Sequence, residues 1–172
     1  MKPLFFTLLC CIAVHSQTIT KYSASFKGTM DIFADRFETG IELNAFSKRH
    51  LFTLGYYFDR ETSILSASFQ GDIYRQLNLL VGGYSDTKNE KFRFQYQAGV
   101  GQLWIKSKVE SPEEVFKRTQ DVKTITLPLK IGGRYIPVHF LSIGIDIQAS
   151  INEHKTLLRP MLSLEIGKLR NK

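Results

Sequence analysis

The chain has 172 residues, 43% hydrophobic and 12% aromatic, and its 23 Lys and Arg against 16 Asp and Glu give a formal net charge of +7. That length suits one domain, and no composition shift along the chain marks a second. The basic residues are scattered, with local clusters only at Lys48-Arg49, at Lys117-Arg118 and in the tail Lys168, Arg170, Lys172. This excludes a nucleic-acid-binding stripe and leaves anionic lipid headgroups as the natural partner of the surplus.

The chain opens with Met1-Lys2-Pro3 and an apolar run from Leu4 to Val14. The run is too short to anchor a helix in a bilayer and has the length of a signal-peptide core. Val14 and Ser16 are small enough for a cleavage site, so residues 1–16 are expected to leave as a signal peptide, with Gln17 the alternative last residue. Leu9 and Cys10 are poor neighbours for a lipid-modified cysteine at Cys10 or Cys11. Both cysteines, the only two in the chain, therefore depart with the signal, and disulfides, thiolate nucleophiles and thiolate metal sites are excluded from the mature protein.

Residues 17–35 read as an N-terminal lead, in which Tyr22-Ser23-Ala24-Ser25-Phe26 is open to being a further strand. From residue 36 onward the sequence alternates polar and apolar, the period of a strand with one oily and one wet face. Eight strands are predicted: 36–47, 51–59, 63–74, 76–85, 91–106, 121–135, 141–152 and 156–169. The seventh is plainest, with Leu141, Ile143, Ile145, Ile147 and Ile151 opposing Ser142, Asp146, Gln148, Ser150 and Asn152. In the fifth the phase slips near Gln102-Leu103, which marks either a bulge or the point where the strand leaves the membrane. The turns fall at 47–50, 59–62, 86–90, 136–139 and 153–155, and the only sizeable loop spans 107–120. An even count puts both barrel ends on one side and this loop on the other, the external one. The expectation is a closed antiparallel up-and-down transmembrane barrel of eight strands, ten being the alternative, over residues 36–169 with a basic tail at 170–172.

Gln97-Ala98-Gly99-Val100-Gly101, Ser142-Ile143-Gly144-Ile145-Asp146 and the closing Leu162-Ser163-Leu164-Glu165-Ile166-Gly167-Lys168-Leu169 resemble the small outer-membrane β-barrel proteins of Bacteroidota-type Gram-negative bacteria. The resemblance is one of pattern over nearly the whole mature chain. It implies a barrel in the outer membrane, inserted by the barrel assembly machinery. The chain departs from the usual insertion signal by ending Leu169-Arg170-Asn171-Lys172 and not on an aromatic residue.

Alternation alone leaves open which face is outside, because a secreted lipocalin-like barrel would gather the same aliphatic set around a ligand. The wet face carries Glu38, Glu42, Asp72, Arg93, Lys130, Arg134, Asp146 and Glu165. In a narrow membrane barrel these must pair across the interior and fill it, because unpaired buried charge is costly. The lone Trp104, late in the fifth strand, suits an interfacial belt.

Candidate chemistry is sparse. A rim enzyme acting on lipid would need a pair such as His154 and Ser150, yet four strand residues span about 13 Å, too far for a direct hydrogen bond. His50, expected in an external turn, and His139, in a periplasmic one, have no carboxylate at a metal-site spacing, and no His-Glu-X-X-His element exists. Glu110, Glu113 and Glu114, flanked by Lys117 and Arg118, form an external loop suited to binding a partner and less suited to calcium. Gly99-Val100-Gly101 and Gly132-Gly133 lie inside strands, so they read as close-packing positions and not as phosphate loops. The expectation is thus a monomeric, non-catalytic barrel without cofactor, with lipid and the assembly machinery as partners.

Overall fold

The computed structural model describes residues 19–31, 36–61, 72–109, 118–153 and 156–170. Eight strands follow in chain order: β1 Lys21–Asp31, β2 Arg36–Ser47, β3 His50–Glu61, β4 Ile73–Asp86, β5 Phe92–Val109, β6 Arg118–Val138, β7 Leu141–Ile151 and β8 Leu157–Lys168. Every strand pairs antiparallel with its neighbours in sequence, and β1 pairs with β8 to close the barrel. Closure removes the unpaired edges that an open sheet of alternating strands would expose.

The alternation sorts cleanly by side. On β7, Ile143, Ile145, Ile147 and Ile151 stand exposed on the outer wall, whereas Ser142, Asp146, Gln148 and Ser150 have no accessible surface. The aliphatic stripe therefore faces outward and the charged stripe inward, the reverse of a lipocalin-like carrier. From Leu141 to Ile151 there are ten rises of about 3.3 Å, which at a barrel tilt near 40° give an apolar band about 25 Å tall.

Three short turns share one end with the start of β1 and the finish of β8. The first is a two-residue turn between Ser47 and His50, with Lys48 in the left-handed region at φ 51°. The second is tied by Thr87 N–H to the Phe92 carbonyl at 2.9 Å, and the third joins Val138 to Leu141. Leu169 N–H donates to the His139 carbonyl at 2.9 Å, and Thr20 N–H to the Phe46 carbonyl at 2.9 Å, so the flanks of β8 and β1 are stitched to these turns. The opposite end carries the two longest links, 62–72 and 110–117.

Several sequence expectations change. The 17–35 lead supplies β1, hydrogen-bonded between β2 and β8. The predicted strand 63–74 is not a stave: β3 continues to Glu61 and pairs directly with β4, Arg60 opposite Ile73. Residues 62–71 lie outside the described ones. One strand in and one out leaves eight. The exchange moves the Ser47–His50 turn to the end where β1 starts and β8 finishes, so His50 shares that end with His139 and lies opposite the longer links.

The expected loop 107–120 is also narrower. Ser107 pairs with Gln120 and Val109 with Arg118, leaving 110–117 as the link, shorter than the 62–72 link between β3 and β4. The expected turn at 136–139 is a register shift between Tyr135 and Val138 followed by a tighter turn. In β5 no bulge occurs near Gln102: the register against β4 is unbroken from Ile73↔Lys106 to Asp86↔Arg93. The chemistry inverts while the backbone does not, because above that level Leu103 and Ile105 fill the inside and Lys106 the outside. The β5–β6 ladder does skip two positions, opposite Pro128, which has no N–H to give.

Candidate functional site

The interior is filled in layers. At the turn end, Arg93 projects inward from β5 and its guanidinium lies over the rings of Phe46, 4.4 Å from the centroid, and Tyr84, 5.1 Å away. Those two rings meet edge to face at 5.1 Å. Arg93 Nε donates to Asp86 at 2.8 Å and Nη2 to the Leu169 carbonyl at 2.8 Å, while Lys21 pairs with Asp86 at 2.9 Å. Ring contacts and the hydrogen bonds of Nε and Nη2 hold the guanidinium across the interior, which makes this a floor.

Above it, Lys27 bridges Glu42, at 3.0 Å, and Asp146. Lys130 reaches Glu42 at 2.7 Å, Tyr57 donates its hydroxyl to Glu42, and Arg134 reaches Asp146 at 2.6 Å and Glu165 at 3.5 Å. Glu165 also accepts from Ser23 and, at 2.9 Å, from Ser142. Glycines make the room: a Cβ on Gly132 would stand 1.9 Å from Asp146 Oδ1, and one on Gly40 would stand 2.6 Å from the Tyr57 ring.

A third layer is held by Arg159 of β8, 2.9 Å from Glu38 and 3.9 Å from Asp59, and bonded also to Gln76 and Ser150. Tyr74, Leu103, Ile105 and Leu157, with Val122, then close the loop end with an apolar cap. Among the described residues six inward cations, Lys21, Lys27, Arg93, Lys130, Arg134 and Arg159, face six inward carboxylates, Glu38, Glu42, Asp59, Asp86, Asp146 and Glu165. Such balance is the physical requirement, because each unpaired buried ion costs several kcal/mol.

Of the eight residues predicted for the lumen, Glu38, Glu42, Arg93, Lys130, Arg134, Asp146 and Glu165 are buried there. Asp72 is not among them. It lies just before β4, half-buried, and accepts from the Tyr74 hydroxyl at 3.3 Å. Sequence reasoning missed Lys21, Lys27, Asp59, Asp86 and Arg159. Parity held the signal: Lys21 and Lys27 share it with Ser23 and Ser25, and Arg159 shares it with Ser163 and Glu165.

Ser150, the hydroxyl named for a rim reaction, is fully buried in the lumen beside Gln76 and Arg159 and not exposed. His154, Glu110, Glu113, Glu114 and Lys117 lie outside the described residues, as do 1–18; Arg118 opens β6. Among the described residues no group of His, Cys, Asp and Glu has the arrangement of a metal site. Trp104 sits half-buried on the outer wall, level with Arg75 and Lys123 on the adjacent strands and just below Lys106 and Asp121.

No protein-family model and no curated protein matches the sequence. Among solved structures, the N-terminal β-barrel domain of OprF from Pseudomonas aeruginosa is similar with a TM-score of 0.63 at 13% identity, covering 86% of this chain and 96% of that one. Neisserial surface protein A gives 0.59 at 11% identity, covering 87% and 95%. A major outer membrane protein from Thermus thermophilus gives 0.58 at 12% identity, covering 86% and 98%. At such identities the shared property is the fold, the closed eight-stranded antiparallel barrel.

Proposed function

We propose that this protein is an outer-membrane β-barrel, monomeric and non-catalytic, with a structural role or a binding role exercised through the links at its loop end. One observation carries the reading: a closed barrel whose outer wall is apolar, aliphatic and aromatic, over about 25 Å while its interior holds a paired set of buried charges. In water such a wall would be an aggregation surface far larger than soluble monomers expose. In lipid it costs nothing, and the fold is that of the outer-membrane protein cited above. Export by a cleaved signal peptide, delivery by the barrel assembly machinery and membership of the Bacteroidota-type group belong to the same reading, resting on the N-terminal apolar run and the strand pattern. The link 110–117, with Glu110, Glu113 and Glu114, is the acidic part of the proposed binding end.

Cell fractionation with gel mobility before and after boiling tests the proposal. The expected result is recovery with the detergent-soluble outer membrane and a band that shifts on boiling. Recovery in the soluble fraction, with unchanged mobility, would overturn it.

A further inference from the structure

Strand β6 is paired with β5 without a break from Gly101↔Thr126 up to Val109↔Arg118, but on its other side the ladder ends at Leu127↔Ile151. Among the described residues nothing pairs with 118–126 on that side. This leaves an open edge of nine residues, about 30 Å of backbone at 3.3 Å each, projecting past the barrel wall. Two of the devices that normally blunt an edge are missing, while charge, at Asp121 and Lys123, is present. Residues 118–127 contain no proline, and the register against β5 runs without a bulge from Gly101↔Thr126 to Val109↔Arg118.

We infer that this edge binds an extended segment of a partner protein by strand addition, and that the segment alternates aliphatic and acidic residues. The inference rests on the reading of this end as the exposed end of a membrane barrel. Main-chain pairing would supply affinity and the two faces of β6 would supply selectivity. On the inner face Val122 packs against the apolar cap of Tyr74, Leu103, Ile105 and Leu157, so the partner's inward residues meet aliphatic surface. On the outer face Lys123 is exposed, and Ile125, at 74%, is the most exposed large hydrophobic side chain among the described residues. The described charges on the outer face here are Lys106 and Lys123 against Asp121, and Asp121 is already engaged by Lys106 at 3.7 Å, which leaves Lys123. The surplus is positive, which selects acidic residues at the partner's outward positions.

The test is binding of a labelled nine-residue peptide of alternating valine and glutamate to the full mature chain in nanodiscs, alongside three controls: a scrambled peptide, a lysine-for-glutamate peptide and the same peptide with a central proline. The expected result is saturable binding of the alternating acidic peptide alone. K123E should weaken it about fivefold, since a cross-strand charge pair is worth up to ~1 kcal/mol. Because the mature chain is expected to lack cysteine, K123C should form a disulfide with a cysteine at one peptide position and not at its neighbours. Equal binding of the scrambled or proline-containing peptide, no binding at millimolar peptide, or K123C self-crosslinking into dimers that excludes peptide would overturn the inference. Boiling-dependent gel mobility of each variant reports the barrel separately. A heat-modifiable chain that ignores the peptide sinks the edge proposal alone, and a chain that never becomes heat-modifiable sinks the membrane reading.

Discussion

Single side chains in this barrel differ sharply in what their loss should cost. Glu42 is fully buried and serves both Lys27 and Lys130. Glu42→Gln keeps the shape but strands Lys130 without its carboxylate and leaves Lys27 only Asp146, so a loss of about 3–5 kcal/mol is expected. The exposed Lys106–Asp121 pair at 3.7 Å is the contrast: Lys106→Ala should cost under about 1 kcal/mol. Urea midpoints of the heat-modifiable form in detergent measure both, and equal costs would contradict the buried network. Two adjacent glycines give a second matched pair. Gly132→Ala would push a methyl into Asp146, held from its other side by Lys27 and Arg134, whereas a Cβ on Gly133 meets nothing within 4 Å. The first should destabilise by about 1–3 kcal/mol and the second should be nearly neutral in the same assay.

At the scale of the strand, sequence pattern carried architecture further than identity. The period of two revealed a barrel, its inward face and most of its charge network, because every lumen-facing residue on β7 keeps one parity. It failed where charges sat on strands. Asp59 and Arg60 read as a turn, although Asp59 is an inward lumen acid on β3, and Lys21 and Lys27 made β1 read as a lead. In a soluble sheet a charge so placed signals a strand end; in a charge-filled barrel it is core. The predicted strand 63–74 lies outside the described residues up to 71, and the barrel closes by pairing β3 directly with β4, since alternation states what a strand would bury but not which strands are neighbours. β5 shows a third case, in which the face chemistry inverts above Gly101 with the backbone parity intact. That inversion fixes where the apolar wall ends, and Trp104 stands just there. As the sole tryptophan in the chain, its fluorescence reports one depth. In vesicles it should be quenched most by lipids brominated near the headgroup and least by those brominated near the chain ends. Deepest quenching at the bilayer centre would mean that the wall is placed wrongly.

For the whole molecule, eight strands enclose a space that side chains just fill, and here they fill it three times over along the axis. The Arg93 floor, the Glu42 and Asp146 layer and the Arg159 layer each span the interior, and an apolar cap sits above them. An ion crossing the barrel would have to separate paired charges in every layer, so planar bilayers holding the native protein should show no stable conductance steps. Removing one layer should not change this. Arg93→Ala opens the floor, yet the path still meets Lys27, Lys130 and Arg134 locked on Glu42, Asp146 and Glu165. The single variant is therefore expected to lose stability but stay closed, because the seal is redundant while each layer's pairing is not. Discrete openings in the native protein, or in Arg93→Ala alone, would mean that the layers move as one unit or that the lumen carries water, and either would replace a packed core with a gate.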